Sequence, residues 1–209
     1  MMTGRMNHTG YLLGSLLIFL IGTTPHLMAQ RISFGVFARE DGIIIGGPLG
    51  VNTVLDFNQK QRILTSGSGQ VVSIERKEGD PYLVYPIEAA EGFDLLIDVD
   101  QPGNLWLDGK VGSDQHILFA LQIAYNNQGA PDINGTIEAP LGMTSLIVPV
   151  SRSTSQAPGP PPDPLSGENS SRNKATFYLF LYGTLGPIES VQAGIYEADI
   201  TINVSYANY

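Results

Sequence analysis

The chain has 209 residues, 11 Lys and Arg against 20 Asp and Glu, and a net charge of −9. So acidic a chain lacks the clustered cations that nucleic acid or an anionic membrane surface requires. It has no cysteine, which excludes a disulfide framework, a thiolate metal site and a lipid-anchored amino terminus of the bacterial lipoprotein type.

The amino terminus comes first. Arg5 precedes an apolar run from Tyr11 to Gly22, Pro25 breaks it, and Ala29 offers a small residue at a cleavage point. A basic start, a short apolar core and a small residue at the cut describe a secretory signal peptide over residues 1–29. The run is shorter than the ~20 residues of a spanning helix, and no second run of that kind follows. The mature protein is then 30–209, one domain, exported through the periplasm to the cell surface or medium. Its removal takes away one cation and no anion.

Alternation of apolar and polar residues predicts strands over 31–39, 42–45, 51–57, 70–77, 82–87, 93–99, 104–107, 117–125, 145–150, 175–185 and 194–206. In the first, Ile32, Phe34, Val36 and Ala38 share one face. Pro86 marks an edge or a bend. In the last, Tyr196, Ala198, Ile200, Ile202, Val204 and Tyr206 form an apolar face against Glu197, Asp199, Thr201, Asn203 and Ser205. Residues 153–174 break the pattern. They hold five of the 14 prolines and no apolar period, so they predict an exposed mobile loop with polyproline character. With no amphipathic helix and no fixed repeat, the fold expected is all-β, an immunoglobulin-like antiparallel β-sandwich, with a closed barrel as the alternative.

Residues that carry chemistry are few. One histidine, His116, stands outside 1–29, and no serine sits in a GxSxG elbow. Asp98 and Asp100 share a face but flank the Pro102-Gly103 turn, where acidic residues are ordinary. Read as an EF-hand loop, 98–109 puts Pro102 at the fifth position and Gly109 where a bidentate Glu is needed. Asp108 or Asp114 could complete a looser calcium site. Asn134, Asn169 and Asn203 stand in glycosylation sequons. No nucleotide motif occurs. The expectation is therefore a non-enzyme with no catalytic residue, no metal and no cofactor.

Leu55-Asp-Phe57 after a glycine-rich turn, then Gly183-Thr-Leu185, Gly194-Ile-Tyr196 and an alternating strand ending at Tyr206, resemble motifs of bacterial surface proteins. These are the spore coat protein U and chaperone–usher pilin relatives, including an uncharacterised exported branch. The resemblance covers residues 55–209. Asn58 replaces the motif's glycine, and the disulfide common in pilins cannot exist here. The resemblance implies a structural subunit of a surface fibre or coat, handled by a periplasmic chaperone and assembled with copies of itself or related subunits. Donor-strand exchange needs a mobile segment with alternating apolar residues. Ile32, Phe34, Val36 and Ala38 provide that alternation, and equally that of an ordinary first strand. The alternative reading is a secreted adhesin-like module in which Trp106 with Tyr82, Tyr85 or Tyr125 stacks on carbohydrate. Export with cleavage at Ala29–Gln30 predicts a mature amino terminus at Gln30, checked by mass spectrometry of the exported protein. Retention of residues 1–29 contradicts it.

Overall fold

The computed structural model describes residues 26–150 and 173–207. The expected signal peptide up to residue 25 and residues 153–172 of the proline-rich stretch lie outside the described residues. The fold is all-β. Its strands are β1 (His26–Leu27), β2 (Ala29–Ala38), β3 (Ile44–Ile45), β4 (Val54–Asp56), β5 (Leu64–Thr65), β6 (Val72–Ile74) and β7 (Leu83–Ala90). They continue as β8 (Asp94–Asp100), β9 (Asn104–Leu107), β10 (His116–Asn126), β11 (Ile137–Glu138), β12 (Ser145–Pro149), β13 (Lys174–Leu185) and β14 (Ile195–Tyr206). One helical turn, α1 (Phe57–Lys60), follows β4.

The main sheet runs β12-β8-β14-β9-β10-β13-β7-β3, with β2 on β14, β4 on β2, β11 on β10 and β6 on β13. β1 and β5 form a separate pair. The sheet turns at β10. Residues 116–118 of β10 pair with β9, and residues 119–126 pair with β13. One long strand thus carries hydrogen bonding from one half of the sheet to the other. The halves enclose one core, to which Ile32, Leu55, Ile97 and Ile202 contribute from one side and Leu83, Ile87, Phe177 and Leu181 from the other. Phe57 and Phe119 meet edge to face there, 6.0 Å between centroids.

Every ladder is antiparallel except the longest. β2 runs parallel to β14 from Ala29↔Ile195 to Ala38↔Val204. A parallel pair needs a long connection, and here almost the whole described chain supplies it. The other edge of β14 pairs with β8 through 201–206 and with β9 at Tyr196 and Glu197. The closing strand is therefore held on both sides. Its expected apolar face is placed inward: Tyr196, Ala198, Ile200, Ile202 and Val204 are buried, and Tyr206 is half-buried. Glu197 and Asp199 are exposed.

Several local features are structural. Asp56 accepts the Asn58 backbone N–H at 3.0 Å and so caps α1. The Asn58 side chain donates to the Met28 carbonyl at 2.6 Å, which ties α1 to the start of β2. Pro86 sits inside β7, and its carbonyl accepts from Gly46 just past the end of β3. Gly183 in β13 is compelled by packing, because a Cβ there would lie 2.5 Å from the Ala120 carbonyl oxygen. In the β6–β7 turn, Asp80 accepts the Glu75 backbone N–H at 2.8 Å and pairs with Lys60. Burial alone would raise its carboxyl, but these donors and the Lys77 charge outweigh burial and hold it below the usual range.

The structure also differs from the strand reading. The 51–57 segment is a three-residue strand followed by α1, and β1, β5 and β11 are two-residue pairings too short to carry a period. β1 and Ala29 lie upstream of the expected cut. Leu27 and Ala29 are buried, so a mature chain starting at Gln30 would lose β1 and the first residue of β2.

The face assignment of β14 makes a direct prediction. Ile202→Asp removes about 1.5–3 kcal/mol of burial and adds an unpaired buried carboxylate. Against a total stability of about 5–15 kcal/mol, the variant should be largely unfolded at 37 °C by circular dichroism. Asn203→Asp, on the opposite face, should melt close to the parent. Equal losses from the two changes contradict the assignment.

Candidate functional site

The candidate donor residues fall on β2, paired within their own chain. Ile32 is fully buried, Phe34 and Val36 are half-buried, and Ala38 is exposed. The gradient follows the neighbours. On its outer edge β2 meets β4 only at Arg31, Ile32 and Ser33. Beyond Ser33 that edge has no strand partner among the described residues. An open groove of about 410 Å³ lies beside it, lined by Phe34, Val36, Phe37, Ile45, Pro48 and Tyr85. At the other end of β2, Gln30 is fully buried, and neither its Nε2 nor its Oε1 has a hydrogen-bond partner.

A second concavity lies on the outer face of the same sheet. Leu105 points into the core, whereas Trp106, its neighbour on β9, lies outside the core cluster. The partner of Trp106 on β14 is Glu197, and the partner of Asp199 on β2 is Ser33. These four residues, with Pro102, Gly109, Val111 and Ala198, line a cleft of about 190 Å³. The turn after β9 forms one wall. Asp108 donates its backbone N–H to the Ile195 carbonyl at 2.8 Å, and Gly109 donates to the Trp106 carbonyl at 3.1 Å. Asp108 has φ 52°, the one positive φ outside glycine among the described residues, a conformation Asp tolerates at modest strain. Trp106 is 8% exposed.

The other sequence candidates do not gather into a site. His116, exposed at the start of β10, is the cross-strand partner of Trp106 on the β10 side and lies outside the cleft lining. Asp98 accepts the Ser145 hydroxyl at 2.8 Å, and Asp100 is exposed at the end of β8. No group of three or more His, Asp or Glu gathers to hold a metal among the described residues. Tyr82, Tyr85 and Tyr125 do not join Trp106. Tyr82 packs on Phe180, Tyr85 lines the β2 groove, and Tyr125 is buried on β10. Burial pushes the phenols of all three up and keeps them neutral. The expected aromatic platform is therefore not assembled. What sequence reading missed is the company Trp106 keeps, Ser33, Glu197 and Asp199. Alternation marked Glu197 and Asp199 as outward, but the register that brings the four together joins three distant strands.

Compared with known proteins, the chain matches no family model and no curated sequence.

The unpartnered Gln30 amide predicts a stabilising change. Replacing it with Met keeps the volume and removes two buried polar atoms without partners. Gln30→Met should leave the melting temperature unchanged or raise it by about 2–4 °C, read by calorimetry. A fall of that size means that the amide has partners in solution.

Proposed function

We propose that this chain is an exported, non-enzymatic structural subunit of a bacterial surface fibre or coat, with a self-complementing immunoglobulin-like sandwich. In this reading β2 is the assembling element, exchanged between copies while a periplasmic chaperone holds the subunit. The observation that carries it is the parallel ladder of β2 on β14. A strand near one end of the chain lies against the strand at the other end, and past Ser33 it is fixed by β14 alone. An identical strand from a neighbour would make the same contacts in the same groove. Such an exchange is nearly isoenergetic, so growth is set by a barrier and not by new contacts. The resemblance of the Leu55-Asp-Phe57 and Gly194-Ile-Tyr196 motifs supports the same reading. The Trp106 cleft favours a second one, a self-contained binding module.

The absence of native cysteine makes the test clean. Phe37 and Asn203 are register partners on the outer face. In Phe37→Cys/Asn203→Cys, exchange predicts a covalent ladder of chains after oxidation of assembled material. If every disulfide closes within one chain, in protein that stays monomeric when concentrated, β2 belongs to its own chain and the fibre reading fails.

A further inference from the structure

We infer that the cleft over Trp106 is a binding site for a neutral, hexose-sized saccharide. The inference deepens the second reading and does not depend on how, or whether, the subunits assemble.

Four polar groups line this cleft, and none has a protein partner among the described residues. Trp106 is more than nine-tenths buried, yet its indole N–H donates no hydrogen bond and is not sealed from solvent. Glu197 and Asp199 take part in no ion pair or side-chain hydrogen bond, and neither does the Ser33 hydroxyl. The cation nearest in register, Arg31 opposite Glu197, is directed instead at Asp56, with Nε–Oδ2 3.5 Å. A buried tryptophan is normally either packed in the core or satisfied at its N–H. This one lies outside the core cluster, and its N–H is left to solvent.

The unpaired groups define the ligand. Two carboxylates only accept hydrogen bonds, and the indole N–H only donates. A cation would satisfy the carboxylates and leave the indole without an acceptor. An anion would do the reverse and would be repelled by Glu197, Asp199 and the chain's net charge of −9. A hydroxyl both donates and accepts, so a polyol satisfies both kinds of group at once. Pro102, Val111 and the indole supply apolar surface for the C–H face of a sugar ring. A cleft of about 190 Å³ takes one ring and no long chain. So small a contact gives weak binding, with a dissociation constant on the order of a millimolar.

Trp106 is the sole tryptophan of the chain, so fluorescence excited beyond the tyrosine absorption band reports this cleft alone. The experiment titrates the full exported protein with the methyl glycosides of glucose, galactose and mannose, and with methylguanidinium and choline as cationic controls. Saturation-transfer NMR on the sugar gives a second readout. The expected result is a saturable emission change with at least one glycoside. Glu197→Gln and Asp199→Asn should each weaken it at least tenfold, with melting temperature unchanged because both side chains are exposed. Asn203→Asp, on the same face but outside the cleft, should bind like the parent. No saturable change with any glycoside up to about 0.1 M overturns the inference. So does a response confined to the cations, or one that both cleft variants leave intact. Failure here leaves the disulfide ladder test of assembly untouched.

Discussion

Ten residues of the first long strand, Ala29 to Ala38, run parallel to ten of the last, Ile195 to Val204. Parallel pairs are slightly weaker per residue than antiparallel ones, so the hydrogen bonds alone do not explain this contact. Burial does. Ile32, Ala198, Ile200 and Ile202 are buried on the core side of the ladder, and Leu55 packs beyond Ile32 from β4. Because the other edge of β14 holds β8 and β9, one strand links the chain's beginning, its middle and its end. The contact joins residues far apart in sequence, so its closure entropy is large and it is expected to form late in folding.

The same ladder places both surface features. Its core side fixes the inward face of β14, and the register then fixes the outward face one residue out of step. Ser33 must lie beside Asp199, and Glu197 beside Trp106. The cleft is thus a by-product of the pairing that closes the chain. The open edge of β2 beyond Ser33 arises because β4 begins only at Val54, opposite Ser33, and the residues before Val54 do not pair with β2. Exposed backbone edges invite pairing by another chain. The β2 edge is short, and the ring of Phe37 lies against Gly35, where a Cβ would meet it at 2.6 Å.

Much of this was legible in the amino-acid sequence, and the limits are physical. The face of β14 could be read because every second residue is polar and the strand has one wet side. β13 could be found but not oriented, because Phe177, Leu179, Phe180, Leu181 and Tyr182 are all buried. Periodicity marked Ile32, Phe34, Val36 and Ala38 as one face, yet only Ile32 is fully covered, since coverage depends on neighbours that periodicity does not name. For the same reason neither the partner of β2 nor the parallel direction could be read. The four residues of α1 are barely one helical turn, and its cap, Asp56, was marked only as part of a resembling motif. Leu105 and Trp106 are adjacent and both apolar, so alternation could not say which faces the core. The cleft follows from that one-residue choice.

The central physical statement is that the β2–β14 ladder holds the fold and does not merely decorate it. Amide hydrogen exchange read residue by residue tests it most directly. If the statement is right, amides from Ile32 back to the start of β2 and along Ala198–Val204 exchange as slowly as those of Leu179–Leu181 in β13, through one shared opening. If β2 exchanges orders of magnitude faster while β13 and β14 stay protected, the first strand is a loosely held appendage and the statement is wrong.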